Sequence, residues 1–127
     1  MTPRNKAKKI AAYAADKHAE NISILDVKKL SSVADFLVIL SGDSERQVQA
    51  IAKNIEEGML GEGEKPISKE GVDTGSWVLM DFNDVICHVF SSSVREHYDL
   101  EGLWVDAARI VPEEAKKTAA KKTQAAQ

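Results

Sequence analysis

An α/β domain with a sheet packed by helices is the fold class that this sequence predicts, on three observations. Phe36-Leu37-Val38-Ile39-Leu40 is a continuous apolar run of strand length, the pattern of a strand buried on both faces. Val48, Ile51, Ala52, Ile55 and Met59 recur at helical spacing and make one apolar stripe. Trp77 to Phe90 reads as a β-hairpin. A chain of 127 residues has room for one hydrophobic core around such elements.

The elements follow in order. Thr2-Pro3 has the form of an N-cap followed by proline at the first helical position. Ile10, Tyr13, Ala14 and Lys17 continue it as a helix to about Ala19, with Asn21 as the breaker. Ile22 to Val27 reads as a strand, and a short polar link leads to the apolar run at 36–40. Ser41-Gly42-Asp43 ends that strand, and Ser44-Glu45-Arg46-Gln47 matches a capping box for the helix that carries the stripe. Gly61 to Pro66 is a loop, Ile67 to Glu70 a short edge strand, and Gly71 to Gly75 a second loop.

With Asn83-Asp84 as a two-residue turn, Phe82 pairs with Val85, Met80 with Cys87 and Val78 with Val89. That face is wholly apolar and belongs against the helices. Trp77, Leu79, Asp81, Ile86, His88 and Phe90 then share the other face, whose Asp and His imply polar cover on one side. Ser91 to Ser93 can cap a short helix holding Arg95 and Tyr98. Leu100, Leu103, Trp104, Ala107 and Ala108 keep helical spacing after Asp99, and Pro112 ends the domain. The predicted domain covers residues 1–110. Residues 111–127 form a lysine-rich tail without an apolar stripe, expected to be disordered.

Charge is uneven. Residues 1–10 hold four bases and no acid, and residues 113–127 hold four lysines and two glutamates. The body between them carries eighteen acids and nine bases, which repels phosphate and disfavours nucleic-acid binding. The basic ends are read as solvated. From Glu70 to Asp106 there are eight acids and one base, Arg95, interleaved with Trp77, Tyr98 and Trp104. Aromatic anchors beside carboxylates suit a basic protein partner.

The chemistry of other classes is thinly represented. A single cysteine, Cys87, excludes an internal disulfide and a thiolate metal cage. No apolar run reaches the roughly 18 residues of a membrane helix, and the basic start has no signal-peptide core. A cytoplasmic protein is expected. His18, His88 and His97 form no metal-binding spacing, and His88 reads as a hydrogen-bonded strand histidine. In a regular strand Cys87 points away from His88, so the two cannot act as nucleophile and base. Ser41-Gly42-Asp43-Ser44 lies where a helix N-terminus could hold a phosphate and resembles the turn of nucleotidyltransferases. The carboxylate pair that those enzymes use for Mg²⁺ is missing after it. A small nucleotidyltransferase or phosphohydrolase acting near Gly42–Ser44 is therefore the second reading.

The motifs also carry a resemblance. Asp35-Phe36-Leu37-Val38-Ile39, Ser41-Gly42-Asp43-Ser44, Gln47-Val48 and Ala50-Ile51-Ala52 resemble the first half of the ribosomal silencing factor (Iojap-like) family. Glu70-Gly71, Trp77-Val78-Leu79, Asp81, Asp84, His88-Val89-Phe90, Arg95, Tyr98-Asp99-Leu100-Glu101, Leu103-Trp104 and Asp106-Ala107 resemble its second half. Asn83 stands where a glycine is usual, Gly102 where a base is usual and His97 where an aromatic is frequent. The resemblance implies a central mixed sheet flanked by helices, with nucleotidyltransferase-like topology but without the catalytic carboxylates. It implies a non-catalytic protein that binds the large ribosomal subunit through its fourteenth protein and sterically blocks joining of the small subunit. Translation would fall under nutrient limitation, and large-subunit biogenesis would be a related role. No cofactor, metal or membrane is expected, nor direct sequence-specific binding of nucleic acid, and the free protein is expected to be a homodimer. The candidate contact residues are Trp77, Asp81, Asp84, His88, Phe90, Arg95, Tyr98, Glu101 and Trp104.

Overall fold

The computed structural model describes residues 1–97 and 108–110. Helix α1 spans Pro3–Ala15, followed by strands β1, Glu20–Asp26, and β2, Phe36–Gly42. Helix α2, Glu45–Gly61, leads to β3, Ser68–Glu70, and the hairpin of β4, Trp77–Asp81, and β5, Val85–Ser91. A short helix α3, Ser92–His97, and strand β6, Ala108–Ile110, complete the described elements. The sheet has the order β3-β4-β5-β2-β1-β6. It is mixed, because β2 and β5 run parallel while every other pair is antiparallel.

The apolar run explains the position of β2. All seven of its residues are buried, so it can only occupy the middle of a sheet covered on both sides. α1 and α2 pack on one face, where Val48, Ile51, Ala52, Ile55 and Met59 meet Val78, Met80, Cys87 and Val89. Each large apolar side chain fully buried there contributes about 1.5–3 kcal/mol. The opposite face has a smaller cluster of Leu25, Val27, Leu37, Ile39 and Phe90, with Trp77, Ile86 and Val94 against it.

Local chemistry sets the ends of the elements. Thr2 caps α1, its Oγ1 accepting from the Asn5 N–H at 3.2 Å. The helix stops at Ala15, short of the expected Ala19, because His18 takes a left-handed conformation at φ 63°. Ser44 caps α2 through the Gln47 N–H at 3.1 Å. The reciprocal half of the expected capping box is absent: the Gln47 amide donates to the Lys17 carbonyl and ties α2 to the end of α1. Lys6, expected among the solvated basic residues, is only 7 % exposed. It lies on the inward side of α1 with Ala7, Ile10, Ala11 and Ala14.

The hairpin has the expected register, Met80 opposite Cys87 and Val78 opposite Val89. The Phe82 N–H donates to the Val85 carbonyl at 2.9 Å across the turn. Ala108, expected at the end of a helix, instead begins β6 and pairs with Asp26. Pairing with an exposed backbone edge of β1 outweighs a spacing that was compatible with helix. The expected helix before it and the expected tail at 111–127 lie outside the described residues.

Candidate docking surface

Sheet register builds the surface. Residues directly opposite one another on neighbouring strands share a face, so each set of Cα partners is a row of side chains. One row runs Glu70, Leu79, His88 and Ile39 across β3, β4, β5 and β2. The next runs Ser68, Asp81, Ile86 and Leu37, and a third places Trp77 beside Phe90. Towards β2 this face is buried. Towards the β3 edge it opens: Trp77, Leu79, Asp81 and Ile86 are half-buried, and Ser68 and Glu70 are exposed.

An aromatic cluster organises the boundary between the two parts. The Trp77 and Phe90 rings lie 4.7 Å apart, and Trp77 and His88 5.9 Å apart. The Trp77 indole N–H donates to His88 Nδ1 at 3.1 Å. Indole can only donate, so Nδ1 is the acceptor and the neutral ring carries its hydrogen on Nε2. Burial lowers the pKa of His88 to about 4. Protonation would also set an N–H against the indole N–H. His88 is thus a neutral hydrogen-bonded strand residue, as its alternation suggested.

The other candidates hold varied positions. Phe90, expected as a contact residue, is 0 % exposed and lies beneath the surface, where it offers a partner no area. Asp81 Oδ1 accepts the Asn83 N–H at 2.8 Å and steadies the turn. Asp84 lies in the turn, 2.7 Å from the Lys6 ammonium. Arg95 reaches back to the Asn21 carbonyl and, at 2.8 Å, to Ser41 Oγ, holding α3 against the ends of β1 and β2. Tyr98, Glu101 and Trp104 lie outside the described residues. Leu79, Ile86, Ser68 and Glu70 complete the open face. The hairpin alternation already placed Leu79 and Ile86 there, whereas Glu70 joins only through the pairing of β3 with β4.

The segment at Ser41–Ser44 is held by its own fold. Ser41 Oγ serves Arg95, the Gly42 carbonyl accepts from Ser92 Oγ at 3.2 Å, and Ser44 Oγ caps α2. Cys87 is buried on the helix-packed face, and desolvation pushes its thiol well up. Among the described residues no group of three or more His, Cys, Asp or Glu could hold a metal ion. A cleft of about 470 Å³ lies on the helix side, between α2 and the β3–β4 edge, lined by Gln49, Lys53, Glu56, Lys69, Val72 and Met80 among others. No helix among the described residues is long and apolar enough to cross a membrane.

Fold and surface together define a small α/β domain whose distinctive feature is an open, aromatic and acidic sheet face. Comparison with known proteins gives that description a family. The family model "Ribosomal silencing factor during starvation" matches residues 1–127. Ribosomal silencing factor RsfS of Bacillus subtilis is 47 % identical over 100 residues, covering 78 % of this chain and 85 % of that one. The chloroplastic protein Iojap of Zea mays is 36 % identical over 104 residues, 80 % of this chain and 44 % of that one. A crystal structure of a Chromobacterium violaceum protein superposes with a TM-score of 0.80 at 35 % identity, covering 82 % of this chain and 87 % of that one. One from Bacillus halodurans gives a TM-score of 0.75 at 34 % identity, covering 84 % and 97 %. The chain belongs to the ribosomal silencing factor family.

Proposed function

We propose that this protein binds the large ribosomal subunit through its fourteenth ribosomal protein and blocks joining of the small subunit by steric exclusion. Translation is thereby repressed under nutrient limitation, and late assembly of the large subunit is a related role. The observation that carries this reading is the family match over residues 1–127, whose description names ribosomal silencing during starvation. The open sheet face supports it. Trp77, Leu79 and Ile86 offer apolar area, while Asp81 and Glu70 offer negative charge to a basic partner. Charge of that kind steers encounter, and buried aromatics then hold the complex. In this reading the protein is a cytoplasmic, non-catalytic regulator, and the same face mediates self-association when no ribosome is bound.

A subunit-joining assay tests the proposal. Purified small and large subunits are mixed at joining concentrations of Mg²⁺, with increasing amounts of the protein, and resolved by sedimentation. The joined peak should fall as the protein reaches the concentration of large subunits. An unchanged joined peak at tenfold excess would contradict steric exclusion.

A further inference from the structure

We propose that His88 is a positioning residue that fixes the rotamer of Trp77, so that the indole is presented to the partner already ordered. The inference rests on the docking reading of this face and adds to it a residue that acts from below the surface. His88 is 8 % exposed, so it offers a partner almost no contact area of its own. Trp77, diagonal to it on the neighbouring strand, is only partly buried. The indole has one N–H, and it is given to His88 Nδ1 at 3.1 Å. Phe90 supports the same ring with centroids 4.7 Å apart, and it also lies 6.0 Å from the imidazole and nearly parallel to it, at 11°.

Each contact removes a different freedom. Phe90 restricts where the indole plane can lie. It cannot choose between the two ring flips, because a phenyl ring packs equally against either. The His88 acceptor makes that choice, since only one flip brings Nε1 to Nδ1. A surface aromatic held in its bound rotamer loses less entropy on association than a free one. His88 therefore contributes to affinity through Trp77.

The test separates the acceptor from the bulk of the ring. Asn places an amide oxygen where Nδ1 stands, whereas Phe keeps a ring of similar size without an acceptor. In the full chain carrying Trp104→Phe, so that Trp77 is the single fluorophore, time-resolved anisotropy is recorded for His88, His88→Asn and His88→Phe. Only His88→Phe should show added nanosecond motion of the indole. For binding to large ribosomal subunits, His88→Phe should weaken affinity about tenfold, the scale of one lost ordered contact, with His88→Asn within about threefold of the parent. Circular dichroism spectra matching the parent establish that each variant is folded. Identical anisotropy decays in all three proteins would overturn the inference, as would His88→Asn behaving like His88→Phe. Failure of the docking reading looks different: Trp77→Ala then binds like the parent, while the anisotropy contrast between His88→Phe and His88→Asn persists.

Discussion

The Lys6 ammonium lies 2.7 Å from Asp84 Oδ1, joining the first turn of α1 to the turn of the hairpin across 78 residues of sequence. The same nitrogen donates to the Phe82 carbonyl at 3.1 Å and meets Glu64 Oε1 at 3.2 Å. Burial lowers the pKa of this lysine, but the hydrogen bonds and charges of Asp84 and Glu64 outweigh it and leave the group raised above 10.5. The Asp84 carbonyl in turn accepts from the Asp35 N–H at 2.8 Å and the Phe36 N–H at 3.2 Å. One buried cation thus gathers α1, the α2–β3 loop and the hairpin turn that borders the open sheet face.

Replacing Lys6 by Met should destabilise the protein by about 2–3 kcal/mol. That is below the usual cost of breaking a fully buried pair, because the acids remain partly hydrated. Urea unfolding at pH 7 reads the difference. A loss under about 0.5 kcal/mol would mean that the contact is solvated in solution. Because the folded pKa is raised, this stabilisation is fully present below pH 10.5 and disappears as pH rises through the folded value. The Met variant should accordingly be less sensitive to alkali than the parent.

His88 gives the opposite edge of the pH range. Its folded pKa, about 4, lies below the ordinary 6.5. Between these values the unfolded chain binds the proton and the folded chain does not, so stability falls as pH is lowered. At pH 4.5 the loss from this residue should be about 2–3 kcal/mol relative to pH 7.5. Comparing urea midpoints for the parent and His88→Asn at both pH values isolates it. An equal acid response in the two proteins would contradict the assignment.

Asn83 occupies the turn at φ 81°, and Asp84 beside it has no positive φ, so the turn is of the II′ pattern. Glycine is preferred at that first position, because it meets a positive φ without a Cβ penalty. Asn83→Gly should therefore stabilise the protein by about 0.5–1 kcal/mol, provided that the Asp81 contact to the residue 83 N–H is kept. A thermal melt detects the shift. A fall in midpoint would show that the Asn side chain contributes more than its backbone strain costs.

Gly71 precedes the open face and cannot be replaced cheaply. It has φ 80°, and a Cβ there would lie 2.0 Å from the Trp77 carbonyl oxygen. Gly71→Ala should cost about 2 kcal/mol or more and displace the start of β4, moving Trp77 with it. Denaturation together with tryptophan emission, both in a Trp104→Phe background, would report both effects. Unchanged stability would mean that the loop relaxes freely.

Much of this was legible in the sequence because it depends on local pattern. The buried run of β2, the stripe of α2, the Ser44 cap and the hairpin register all follow from spacing and turn residues. Lys6 was not, since charge argued for solvent. Its place four residues before Ile10, on the inward stripe, was the available signal. Strand order, Glu70 at the rim and the Arg95 strap depend on pairings between distant segments that no local pattern encodes. The end of α1 turned on a single left-handed residue, His18. Ala108 starts an edge strand of three residues, too short to leave a period to read.

Binding through the fourteenth protein is decided by the affinity of this protein for large ribosomal subunits with and without it, measured at one fixed salt concentration. Binding to complete subunits should be saturable, with a loss of at least about a hundredfold when that protein is missing. Equal affinity for both would contradict binding through that protein.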